Sequence, residues 1–263
     1  MGAIFLGPRI GKFGEDGKPR AIPGHNIAFT VIGVFILWFG WFGFNAGSEL
    51  GADNVVVRAG VTTMLAAAAG GMAAGMVMWA KVGFLDVAMT ANGILAGLVS
   101  ITAGTGALSP LGAVITGAIG GVIVVFSVLT IERLRIDDPV GAISVHGICG
   151  VWGTLAIGLF ATYDDAFLGR EDAGLFYGGG ISQLIVQALG VLIVAAWVLP
   201  ATGILFATLK SMNLLRVPAE EEIAGLDVSE HGAAGYGAEV VYADAGVPSG
   251  AVKPTKGKPI DLS

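Results

Sequence analysis

Residues 137–153 read DDPVGAISVHGICGVWG, a run of apolar and small residues that opens on two aspartates and a proline and holds one histidine, His146. With the apolar residues that follow as far as Phe160, the run approaches the roughly 20 residues that a membrane-spanning helix needs. An imidazole at bilayer depth is costly, and by default it marks a route for ions, protons or a polar substrate. The bland alternative is a packing histidine bonded to a backbone carbonyl. No other apolar stretch carries a histidine or a clear ion-pair mate for it. Ala142, Val145, Gly147, Cys149, Gly150 and Gly153 surround His146 with small or apolar groups. A narrow apolar tunnel of this kind suits a small substrate that can shed its charge, because a neutral amine crosses the bilayer centre far more cheaply than a cation. A neutral imidazole has one donor and one acceptor nitrogen, so it can hydrogen-bond such an amine or relay a proton.

The composition places the whole chain in the same class. Hydrophobic residues make up 54% and charged residues 13%, against about 25% charged in an ordinary soluble domain. Long charge-free stretches recur from end to end, which argues against a soluble protein with a large core. The 43 glycines let helix backbones approach closely in lipid. The pairs Gly71/Gly75, Gly93/Gly97 and Gly117/Gly121 have the small-xxx-small spacing of such contacts. They read as packing, with no substrate role. A single cysteine, Cys149, excludes an internal disulfide. Residues 1–7 are apolar but too short for the core of a secretory signal.

Outward from His146, six stretches read as membrane-spanning helices: 27–46, 59–79, 87–103, 111–131, 140–160 and 181–209. Their length excludes the alternating strands of an outer-membrane barrel, so the expected fold is an all-α membrane protein of six transmembrane helices. Pro110 and Pro139 are expected at helix starts. Pro200 is expected to kink the sixth helix or thin its hydrogen bonding. Residues 1–26 read as a segment before the first span, 27–209 as the transmembrane domain, and 210–263 as a tail that is disordered towards its end.

Orientation follows from the basic residues. Arg9, Lys12, Lys18 and Arg20 precede the first span, Lys81 follows the second, Arg133 and Arg135 the fourth, and Lys210 and Arg216 the sixth. The intervening loops are neutral or acidic, with Glu49 and Asp53 in one and Asp164, Asp165, Glu171 and Asp172 in another. An even number of spans then puts both ends of the chain in the cytoplasm.

Two further stretches carry chemistry. Residues 38–48, WFGWFGFNAGS, close the first span with Trp38, Trp41, Phe42 and Phe44. They read either as an interfacial aromatic belt or as a cation site, since aromatic faces attract ammonium-type cations by about 0.5–2 kcal/mol. Ser48 can add a hydroxyl acceptor. In the tail, Ile223, Leu226 and Val228 lie among charges, which suggests that its first part docks on the cytoplasmic face while 253–263 stays free.

At these residues the chain resembles the Amt/Mep/Rh ammonium transporters, of the bacterial Amt type. The matching motifs are WFGFNAGS at 41–48, DVAMTANGILAGLV at 86–99, DDPVGAISVHGICG at 137–150 and EEEIAGLDVSEHG at 220–232. The resemblance covers nearly all of the chain to about Tyr236. It implies the C-terminal half of an eleven-helix fold, helices six to eleven, with residues 1–7 as the stub of the fifth, and a homotrimer in which each subunit has its own pore. It implies that Phe44 is one of two stacked gating phenylalanines, that Trp41 lines the pore, that Ser48 belongs to the outer ammonium site, and that His146 is the second of a mid-pore histidine pair whose first member lies on the fifth helix. Gly141 stands where many relatives have an aspartate. The tail, with Glu220, Glu221, Leu226, Asp227 and His231, matches the segment that meets PII-type signal proteins.

The expected function is therefore ammonium transport across the inner (plasma) membrane. Ammonium is recruited outside, and ammonia passes through an apolar pore lined by a histidine. The expected partners are ammonium or ammonia, membrane lipid, further copies of the chain and a PII-type protein. No catalytic residue, cofactor, metal or nucleic acid is expected. The alternatives are a non-conducting membrane fragment and a PII-linked sensor.

Overall fold

The computed structural model describes residues 1–162 and 172–235. Among them the chain is helical, with two isolated β-bridges, Phe13 with Pro19 and Leu108 with Ala161. The order is α1 (Gly2–Leu6), α2 (Ile27–Asn45), α3 (Asn54–Val82), α4 (Val87–Thr102), α5 (Pro110–Arg133), a π-helical segment (Ile143–Ile148) that runs into α6 (Cys149–Phe160), α7 (Ser182–Ser211), α8 (Ala219–Ala224) and α9 (Leu226–His231). Two compact units result, 1–215 and 216–263. The acidic loop residues Asp164, Asp165 and Glu171, and the expected free end at 253–263, lie outside the described residues.

Local sequence sets the helix boundaries. Asn26 accepts the Ala28 and Phe29 amides, Asp53 those of Val55 and Val56, Asp86 that of Met89, and Ser109 that of Gly112. Each such N-cap satisfies donors that a helix start leaves unpaired. Pro110 sits in the first turn of α5, as its missing N–H allows. Pro139 does not start its helix. It lies in a turn, and the helix follows at Ala142. Pro200 lies within α7, which continues on both sides of it.

Among the described residues, five helical stretches are long and apolar enough to cross a membrane: Ile27–Glu49, Asn54–Val82, Pro110–Arg133, Ile143–Phe160 and Ser182–Ser211. The remaining expected span, α4, has 16 residues. At 1.5 Å per residue it rises about 24 Å, short of the roughly 30 Å hydrocarbon core. The second expected span is longer than the apolar run suggests, because Asp53 caps α3 one turn earlier and Gly83, with φ +82°, ends it.

The core lies where α3 packs between α4 and α5. The glycine pairs make that packing possible. A methyl group on Gly97 or Gly117 would meet the Ala66 carbonyl, on Gly121 the Gly70 carbonyl, and on Gly93 the Ala74 side chain. On Gly71 it would lie 2.7 Å from Ile94, and on Gly75 2.9 Å from Leu85. The glycines are thus packing residues, and Ala66, Ala67, Ala74 and Ala96 fill the seams between them without exposure. By contrast α7 has no buried residue, and α2 exposes Phe35, Ile36 and Phe39. These outward apolar faces are what a helix in lipid presents.

At one end of this unit, residues 8–20 fold back across the bridge between Phe13 and Pro19 and are tied to the last turn of α5 and to the connection that follows it. Arg9 grips Asp137, and Lys12 Nζ lies 2.6 Å from Glu132 Oε1. Both Lys12 and Asp137 are buried.

Candidate functional site

His146 projects from the middle of the π-helical segment and lines a cavity of about 590 Å³. Three elements build the cavity. The segment and α6 supply His146, Gly150 and Thr154, one residue every four; α2 supplies Ile36, Leu37, Gly40, Trp41 and Phe44; α4 supplies Val99 and Thr102, with Ala103 just beyond. The lining is therefore apolar apart from one imidazole, one indole N–H and two hydroxyls. Such a surface offers little to a hydrated ion and enough hydrogen bonding to orient a small neutral amine.

A second cavity, of about 340 Å³, adjoins the first. Ser48, Asn45, Glu49 and Thr105 line it, and it shares Phe44, Thr102 and Ala103 with the histidine cavity. Phe44, Thr102 and Ala103 therefore lie between a polar compartment holding Ser48 and an apolar one holding His146. The Phe44 ring meets Trp41 edge to face, at 6.1 Å and 77°, the geometry that aromatic quadrupoles favour. Trp41 is fixed in turn: its Nε1–H donates to Thr102 Oγ1 at 2.8 Å, and that hydroxyl donates to the Leu98 carbonyl at 2.7 Å. Ser48 Oγ donates to the Phe44 carbonyl, which leaves its oxygen lone pairs as acceptors. Asn45, buried, donates to Thr63 Oγ1 at 3.0 Å.

The structure thus brings His146, Trp41, Phe44 and Ser48 to one continuous pair of cavities. It joins to them Thr102 and Thr154, which do not stand out in the sequence. Their hydroxyls are the polar positions in otherwise apolar helix faces, and Thr154 lies two four-residue steps from His146. Of the aromatic cluster, Trp41 and Phe44 line cavities, whereas Phe39 is 81% exposed.

The start of the histidine helix is tightly organised. Asp138 accepts the Ala142 amide at 2.9 Å and the Ile143 amide at 2.7 Å. Gly141 has φ +72°, a conformation that side chains rarely adopt. An aspartate there would be strained, and a Cβ would lie 3.3 Å from Asn92 Nδ2. Asp137 takes hydrogen bonds from Arg9, which hold its carboxyl below the usual carboxylate range against the opposing effect of burial.

The tail residues lie in the second unit. Glu220 and Glu221 are in the first turn of α8, where carboxylates suit the helix dipole. Leu226, Asp227 and His231 belong to α9. Asp227 accepts the Gly235 amide at 2.9 Å, which lowers its carboxyl from the ordinary value. Ile223, Leu226 and Val228 keep apolar surface exposed.

A model of the Ammonium Transporter Family matches residues 1–236. Ammonium transporter Amt2 of Archaeoglobus fulgidus is 46% identical over 237 residues, covering 89% of this chain and 50% of that protein. Ammonium transporter 1 member 2 of Arabidopsis thaliana is 37% identical, covering 89% and 49%. Among solved structures, a Sensor Amt Protein superposes with a TM-score of 0.80 at 38% identity, over 88% of this chain and 55% of its own. Candida albicans Mep2 superposes at 0.71 and 32%, over 82% and 48%. The chain spans about half the length of the relatives it matches.

Proposed function

The chain belongs to the Ammonium Transporter Family, a family of multi-pass membrane proteins, and from that membership we propose that it builds one wall of an ammonium pathway. The observation that supports this best is the pair of cavities that share Phe44, with Ser48 in one and His146 in the other. Ammonium is drawn to the Ser48 compartment, where the Phe44 ring and hydroxyl oxygens favour a cation. It loses its proton before or at Phe44, because the apolar compartment beyond disfavours charge. Ammonia then passes His146, whose ring nitrogens hydrogen-bond it or relay the proton. The relatives are about twice as long, and the second wall comes from sequence matching their other half, packed in inverted orientation.

In this reading α4 is a sixth, short span, both ends of the chain lie in the cytoplasm, the membrane is the plasma membrane, and the subunits form trimers. His146→Ala, in a transporting assembly that contains this chain, is expected to reduce ammonium-dependent growth or current at least tenfold with expression unchanged. Equal transport by the mutant at equal expression would return His146 to a packing role.

A regulatory reading of the tail is supported by the exposed apolar residues of α8 and α9 and by the similarity to a Sensor Amt Protein. Glu220, Glu221, Leu226, Asp227 and His231 then form the face that a PII-type protein meets. Binding of such a protein is expected to be lost when residues 214–263 are removed, and undiminished binding would refute the tail's part.

A further inference from the structure

His146 is carried by Ile143–Ile148, a π-helical segment. Such turns are rare, and hydrogen bonds from the residues before it support this one. The support is visible step by step. Val145 N donates to the Gly141 carbonyl at 2.8 Å, and Gly141 N to the Asp138 carbonyl at 3.2 Å. The Asp138 carboxylate holds the Ala142 and Ile143 amides. Asp137, 5% exposed, is itself held by three donors of one residue: Arg9 backbone N at 2.9 Å, Nε at 2.8 Å and Nη2 at 2.9 Å. Two oxygens meeting a planar guanidinium fork leave that stretch of backbone little freedom.

We infer that Arg9, acting through Asp137, is a positioning residue for His146. The ion pair fixes the backbone at 137–138, Asp138 fixes the first amides of the π turn, and His146 rides on that turn into the cavity. Arg9 lies 128 residues before Asp137 in sequence, so a loop that follows the apolar stub α1 sets the position of an imidazole inside the membrane. The neighbouring pair Lys12–Glu132 bears on Asp137 only through the charge of Lys12. Glu132 belongs to the last turn of α5, so that pair fastens the loop to α5 without touching the turn that carries His146. The consequence for transport rests on the pathway reading of His146, whereas the positional claim does not.

The test is nuclear magnetic resonance of the whole chain, labelled with ¹³C,¹⁵N-histidine, in detergent micelles. The three histidines, His25, His146 and His231, give three sets of imidazole signals, assigned by single substitutions. Arg9→Ala is expected to displace or broaden the His146 set and leave the other two in place. Arg9→Lys, which still donates to Asp137 but lacks the fork, is expected to bring the His146 signals at least halfway back. Lys12→Ala is expected to lower the melting temperature with the His146 signals unmoved. The inference is overturned if a folded Arg9→Ala chain keeps the wild-type His146 signals, or if Lys12→Ala displaces them as far. Should Arg9→Ala not fold, Asp137→Asn takes its place, and unmoved His146 signals in that variant overturn the inference equally. Neither outcome touches the transport reading, which the His146→Ala measurement addresses.

Discussion

At the scale of single residues, several polar groups of the site have a defined partner. Trp41 is oriented by Thr102, Ser48 by the Phe44 carbonyl, and Asn45 by Thr63. Asp137 is a group whose ionisation bears on the fold. Its native carboxyl sits below the ordinary 3.8 because Arg9 bonds the charged form. The native state therefore binds this proton less readily than the unfolded chain. The stabilisation is complete above 3.8 and is lost as pH falls through the native value. Asp137→Asn is expected to flatten the acid limb of thermal stability below about pH 4. Melting curves of the two proteins between pH 2 and 6 check this, and parallel curves would contradict it. Little of this was legible in sequence. His146, Trp41, Phe44 and Ser48 stand out because a polar or aromatic residue in an apolar run is conspicuous. Arg9 and Asp137 do not, since only folding brings residues so far apart together.

At the scale of elements, the apolar runs announce the helices because hydropathy is a local property. Their ends are less plain. Asp53 extends α3 beyond its apolar core by supplying a cap, and four helices begin with Asn, Asp or Ser, a signal that is present in the sequence at 26, 53, 86 and 109. The π turn at His146 left no mark on periodicity, because its width is set by backbone bonding and by Asp138. The glycine spacing was legible as packing, yet which helices meet was not. The structure pairs Gly117 and Gly121 of α5 with Ala66 and Gly70 of α3. Since the obstacle at Gly121 is a backbone carbonyl, Gly121→Val must push the two helices apart. Overpacking of this kind costs about 1–3 kcal/mol. A lowered melting temperature in detergent is the expected result, and a melt within experimental error of wild type would show that α3 and α5 are not packed this closely.

At the scale of the whole molecule, the all-α architecture and its family were legible, because four motifs in order span most of the chain. What hydropathy alone does not give is a partner for every apolar face. The buried seam of α3, α4 and α5 is joined by residues of the π segment and α6 such as Val145, Cys149 and Ile157, while α2 and α7 keep apolar surfaces outward. In the proposed arrangement the cavities become a conduit only when a second, inverted wall covers them. The measurement that tests this most directly is ammonium flux into lipid vesicles, comparing residues 1–263 alone with the same chain reconstituted beside a co-expressed N-terminal half from a close relative. Flux from the combined halves is expected to exceed that of the chain alone at least tenfold. Ammonium flux from the lone chain equal to that of the combined halves would contradict the two-wall pathway.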